Sequence, residues 1–171
     1  MNERKGLVSF KEMPVTLVGN EIKVGDKAPD FIALNQDLSE FKLSDLENKI
    51  KVISVAPSLD TRVCKQQAIR FNQEATKVSD EVEIVSITVD LPFAQARFCD
   101  EQNVKGHRVV SDHRDLDFGT KYGLVMKELR LLARAVLVID QDNVIRYVDI
   151  NEQVAEEPDY DKALEVVKNL V

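Results

Sequence analysis

A chain of 171 residues with 44% hydrophobic and 31% charged side chains can bury one core without a disulfide or metal staple, which excludes a disordered, collagen-like or membrane-spanning protein. Thirty acidic against 23 basic side chains leave a formal charge of −7, and no basic run forms a phosphate-binding stripe, so nucleic acid is not an expected partner. The opening residues Met1-Asn2-Glu3-Arg4-Lys5-Gly6-Leu7 lack the apolar segment of a secretory signal, and two cysteines are too few for a secreted disulfide framework, so the expected location is the cytoplasm.

In chain order, residues 15–18 and 21–24 are short β-prone runs around Gly19-Asn20, a pair that tolerates positive φ. Residues 14–25 are therefore expected to form an N-terminal β-hairpin extension of a single domain covering 1–171. A break with Pro29 precedes a short run at 31–34. Residues 51–56 read as a strand, and the turn Pro57-Ser58-Leu59-Asp60 leads into a helix from Thr61. In that helix Cys64, Ala68, Phe71, Ala75 and Val78 recur at steps of three and four and share one face. The pattern repeats: residues 83–89 are β-branched, Asp90 can cap, Pro92 fits a first helical turn, and residues 93–103 form a second helix carrying Cys99. Val109-Val110 predicts a short strand and residues 115–122 a helix that stops at Gly123. Residues 135–139 and 144–148 flank Gln141-Asp142-Asn143 as an antiparallel hairpin, and a final helix aligns Tyr160, Leu164, Val167 and Leu170.

Parallel strands joined by helices, followed by an antiparallel hairpin and a terminal helix, describe an α/β fold with a mixed central sheet and helices on both faces. That arrangement is similar to the thioredoxin-like fold.

Thr61 occupies an N-cap position, which puts Cys64 in the first helical turn at a strand-to-helix junction. Orphan N–H groups and the positive end of the helix dipole favour a thiolate there. The same position also suits a small buried residue, and position alone leaves both open. Metal binding lacks support, because there is no C-x-x-C pair and His107 and His113 have no cysteine or H-E-x-x-H partner nearby.

The segment Pro57-Ser58-Leu59-Asp60-Thr61-Arg62-Val63-Cys64 matches P-x-x-x-T-x-x-C and resembles the peroxiredoxins. The runs Asp90-Leu91-Pro92-Phe93-Ala94-Gln95, Arg97-Phe98-Cys99 and Ala133-Arg134-Ala135-Val136 extend the resemblance to the thiol peroxidase subfamily over nearly the whole chain. The resemblance implies that Cys64 is the peroxidatic cysteine, that Thr61 hydrogen-bonds the thiolate and the peroxide oxygen, and that Pro57 shields the site from water. It implies that Arg134 stabilises the thiolate and the charge developing on the O–O bond. A guanidinium at the start of an apolar strand also calls for an anionic partner on its own account. Cys99 is implied as the resolving cysteine, closing an intrachain disulfide with Cys64. Both sulfurs lie on helical segments, so closure requires local unwinding. The resemblance further implies hydrogen peroxide and alkyl hydroperoxides as substrates, thioredoxin as reductant, a homodimer, and no bound cofactor.

Three other readings compete. Cys64 and Arg70 satisfy C-x5-R, the spacing of cysteine-dependent phosphatases, but the intervening residues are helix formers without a glycine to curl around an anion. A Cys–His hydrolase needs His107 or His113 beside Cys64. A thiol redox sensor would use the same cysteine pair without rapid turnover.

Overall fold

The structure, a computed structural model, describes residues 2–75, 77 and 79–171, so the expected place of Val78 on the helix face lies outside the described residues. Strands β1 (Glu3–Phe10) and β2 (Met13–Val18) open the chain, followed by β3 (Ile32–Leu34), β4 (Glu40–Lys42) and a 3-10 turn at Leu43–Leu46. Then come β5 (Ile50–Val55), α1 (Arg62–Ala75), β6 (Val82–Thr88), α2 (Pro92–Gln102) and β7 (Arg108–Ser111). The chain ends with α3 (Asp117–Tyr122), β8 (Val125–Met126), β9 (Leu131–Leu132), β10 (Ala135–Ile139), β11 (Ile145–Ile150) and α4 (Tyr160–Leu170).

The main sheet runs β11-β10-β5-β6-β7-β3-β4. Strands β5, β6 and β7 are mutually parallel, while β10, β11, β3 and β4 join antiparallel. All of β5 is buried, and its alternating side chains feed two cores, which is why its sequence is mostly apolar on both faces, with Lys51 and Ser54 as buried exceptions, rather than alternating. On one face Ile50, Val52, Ile84, Val136 and Val138 pack against Phe71 of α1 and Tyr160, Ala163 and Val167 of α4. On the other, Ile53, Val55, Val85, Ile87 and Leu137 pack against Phe118 and Tyr122 of α3. Helix α2 lies beside α1, sharing a smaller cluster of Leu59, Ala68, Phe98, Cys99, Val104 and Val109. The expected mixed sheet with helices on both faces is present.

An N-terminal hairpin is present too, but its arms are β1 and β2, turned at Lys11 with φ 55, rather than residues 15–18 and 21–24. Only the first expected arm is a strand. Past Val18 the chain does not turn back: the Asn20 N–H donates to the Thr120 carbonyl at 2.9 Å, and Ile22 is buried in the main core. Gly19 is required by close approach, since a Cβ there would collide with the same carbonyl. The hairpin continues into a second small sheet, β1-β2-β8-β9. Two helix starts also differ from expectation. Helix α2 begins with Leu91 at the N-cap and Pro92 at the first position, so Asp90 is not its cap. Helix α3 begins at Asp117 after Leu116 in a left-handed conformation, two residues later than read from the pattern.

Candidate active site

The loop from Pro57 to Thr61 joins the C-terminal end of β5 to α1. Thr61 precedes the first helical residue and its carbonyl accepts from the Lys65 N–H at 2.9 Å, as an N-cap carbonyl does. Its hydroxyl donates to the Ser58 carbonyl at 3.2 Å, and among the described residues no hydrogen bond joins it to Cys64. Pro57 is buried and Arg62 is exposed, pointing its charge to water.

Cys64, one turn in, is 1% exposed, a free thiol facing inward. Arg134, immediately before β10, is 2% exposed and reaches it: Nη2 donates to Cys64 Sγ at 3.2 Å. The other contacts of the guanidinium are Nε to the Val154 carbonyl at 2.6 Å and Nη1 to Gln67 Oε1 at 2.8 Å. Both are neutral acceptors, and among the described residues no carboxylate forms an ion pair with Arg134. The cation is fixed at three points while its charge is left uncompensated, which directs it at the sulfur. Gln67 is held in turn, its Nε2 donating to Ser54 Oγ at 2.7 Å and to the Val55 carbonyl at 3.2 Å, which fixes which end of the amide meets Arg134.

Cys99 lies in the last turn of α2, buried in the Leu59–Ala68–Phe98 cluster. It too is a free thiol. Burial pushes its pKa above the ordinary thiol value, partly offset by the Gln36 side-chain amide donating to Sγ at 3.4 Å. The helix ends here with Asn103 in a left-handed conformation, and both Asn103 N–H and Val104 N–H fall on the Cys99 carbonyl.

The residues of the competing readings are engaged elsewhere. Arg70 pairs with Glu74 at 3.1 Å and stacks over the Tyr160 ring at 5.1 Å, so no phosphate cradle forms around Cys64. His107 Nε2 lies 2.8 Å from Ser86 Oγ, and burial pushes its pKa down to about 4. Among the described residues no group of three or more His, Cys, Asp or Glu side chains is placed to hold a metal ion, and no helix is long and apolar enough to cross a membrane.

Of the residues singled out in the sequence, the structure joins Cys64 with Arg134 directly and places Thr61 and Pro57 on the adjoining loop. Three participants were missed. Gln67 had a legible signal, a polar residue one turn after Cys64 inside the apolar stripe. The carbonyl of Val154 and the carboxyl of Asp90, which binds Ser58 and Leu59 of the loop, had none, because both are tertiary contacts.

Residues 23–164 match the redoxin family pattern. A thiol peroxidase from Oceanobacillus iheyensis is 53% identical over 92% of this chain and 95% of its own length. A thiol peroxidase from Bacillus subtilis is 48% identical over 96% and 98%. Among solved structures, a peroxiredoxin-like protein from Aquifex aeolicus superposes with a TM-score of 0.91 at 38% identity, covering 98% of this chain and 99% of that one. A thiol peroxidase from Chromobacterium violaceum, at 20% identity and a TM-score of 0.84, shares the fold.

Proposed function

The chain belongs to the redoxin family and, within it, to the thiol peroxidases, and from that premise we propose that Cys64 attacks the hydroperoxide and that Cys99 resolves the product. The observation that carries this reading is the 3.2 Å contact between the uncompensated guanidinium of Arg134 and Cys64 Sγ.

In the first step the Cys64 sulfur attacks the terminal oxygen of a hydroperoxide. An S–O bond forms, the O–O bond breaks, the sulfur loses two electrons, and the leaving oxygen departs as alcohol or water after taking up a proton. Negative charge grows on that oxygen, and Arg134, fixed before the reaction starts, meets it without reorganisation. The Thr61 hydroxyl would swing from the Ser58 carbonyl toward the incoming peroxide, and buried Pro57 would limit water at the thiolate. In the second step the Cys99 sulfur attacks the Cys64 sulfenic acid, an S–S bond forms, and hydroxide leaves as water with the thiol proton. A dithiol protein of the thioredoxin class would then take the disulfide and return two thiols. Because Cys64 and Cys99 sit in separate helices as free thiols, the second step requires one or both helix ends to open.

The test is a free-thiol count with intact mass on reduced protein, before and seconds after one equivalent of an alkyl hydroperoxide. Loss of both thiols with a mass decrease of two hydrogens is expected, and Cys99→Ser should stop at a sulfenic acid on Cys64. Survival of both thiols would overturn the assignment. Oxidation without thioredoxin-coupled turnover would favour a sensor that uses the same pair.

A further inference from the structure

The carboxyl of Asp90, outside the cysteine–arginine contact, gathers three donors. Ser58 Oγ donates to Oδ1 at 2.7 Å, and the Leu59 N–H and Thr88 Oγ1 donate to Oδ2, each at 2.8 Å. Ser58 and Leu59 belong to the loop that leads into α1, the helix that carries Cys64, whereas Asp90 leads into α2, the helix that carries Cys99. The Ser111 hydroxyl bonds the Asp90 carbonyl and anchors it to β7. From the α2 side, Gln95 Nε2 donates to the same Thr88 Oγ1 at 3.1 Å and to the Val110 carbonyl at 2.8 Å. Gln95 is fully buried and lies one turn before Cys99 on the same helix face. A continuous polar chain, Gln95–Thr88–Asp90–Ser58/Leu59, therefore ties the two redox segments together, and Leu59 adds an apolar contact by sharing the Cys99 cluster.

Among the described residues, one atom of the tie is left without a partner in the folded helix. Gln95 Oε1 is buried and has no hydrogen-bond partner among the described residues. Opening α2 would return that oxygen to water, so the folded helix carries a local cost that the opened one does not.

Resting on the Cys64–Cys99 reading above, we infer that Asp90 is a positioning residue that latches the Cys64 loop to the start of α2, holding the folded site for peroxide attack and delaying disulfide closure. The two steps place opposite demands on it. Attack needs Cys64 held under Arg134, and closure needs the same loop free. Weakening the latch should therefore slow the first step and speed the second, a split that general destabilisation does not produce.

The experiment is rapid-quench intact-mass kinetics with an alkyl hydroperoxide on the full chain and on two variants. Ser58→Ala removes one of the three bonds to Asp90 from a partly exposed residue, together with the longer bond that Ser58 Oγ accepts from the Asp60 N–H, and Asp90→Asn replaces an acceptor oxygen with a donor facing donors. Sulfenic acid formation is read in a Cys99→Ser background, disulfide closure with both cysteines present, and the sulfinic product at high peroxide. At the strength of one to two hydrogen bonds, closure should accelerate about threefold in Ser58→Ala and about tenfold in Asp90→Asn, with peroxide attack slowed by no more than those factors and less sulfinic acid formed. Equal slowing of both steps, or no change in their ratio in either variant, would overturn the latch. Should the unsubstituted protein form sulfenic acid but never close, the Cys64–Cys99 reading fails and the latch falls with it. A closing wild type with an unchanged ratio in the variants refutes the latch alone.

Discussion

Arg134 is a buried cation whose partners are two neutral oxygens and a sulfur, and the identity of residue 67 decides how much of its charge reaches that sulfur. An amide at 67 aims the guanidinium without neutralising it. Gln67→Glu keeps an acceptor at Nη1 but makes it a carboxylate, and it turns a second oxygen, in place of the Nε2 donor, toward the Val55 carbonyl, so the rate constant of Cys64 with peroxide should fall about tenfold or more and Tm should fall as well. Gln67→Leu should act mainly on stability. It leaves Nη1 and Ser54 Oγ without their partner, costing about 1–3 kcal/mol of stability by urea unfolding, with a smaller effect on rate because Nε and Nη2 still hold the guanidinium. Equal losses of rate in the two variants would show that positioning, not uncompensated charge, is what Gln67 supplies.

Helix α3 shows how an element too short to stand alone is held. Its N-cap is Leu116, which offers no side-chain acceptor, and the N–H groups of Phe118 and Gly119 donate instead to Asp112 at 3.0 and 2.8 Å. Asp112 is 2% exposed, and burial pushes its pKa up to about 6 from 3.8 despite those two bonds. The folded protein thus holds this proton more tightly than the unfolded chain, so the contribution to stability is full below pH 3.8 and is lost as pH rises to 6. Asp112→Asn should flatten the Tm profile across that window, and the stability difference between the two proteins should change by up to about 3 kcal/mol. No difference in slope would mean that Asp112 ionises in the fold as it does in water. Legibility in the sequence follows the same line between local and tertiary causes. Strands β5, β6 and β10, with α1, α2 and α4, were readable because burial imprints a run or a period on the residues themselves. The second arm of the hairpin was misread because a glycine demanded by the Thr120 carbonyl looks, in sequence, like a glycine that makes a turn. Asp90 was misread likewise, since an Asp before Pro92 suits a cap and nothing local reveals Ser58 across the sheet.

At the scale of the whole molecule, the proposed cycle asks one fold to lose part of its core each time it turns over. Cys64 and Cys99 are separated by 34 intervening residues, and cross-linking a loop of that size restricts the unfolded chain by about 4 kcal/mol in the chain-entropy account. Against that gain stands what closure dismantles. Leu59 and Phe98 leave the cluster between α1 and α2, at about 1.5–3 kcal/mol for each large apolar side chain. Cys64 also leaves Arg134, whose guanidinium is then buried with one donor unpaired. The losses outweigh the entropic gain, so the disulfide form should melt below the dithiol form, and calorimetry on the two, prepared from one batch by peroxide and by a reductant, measures the difference. The gap should narrow in Asp90→Asn, because that variant has already given up in the dithiol form part of what closure removes. A disulfide form melting above the dithiol would mean that the sulfurs meet with α1 and α2 still folded, and that the switch is smaller than the burial of both cysteines demands.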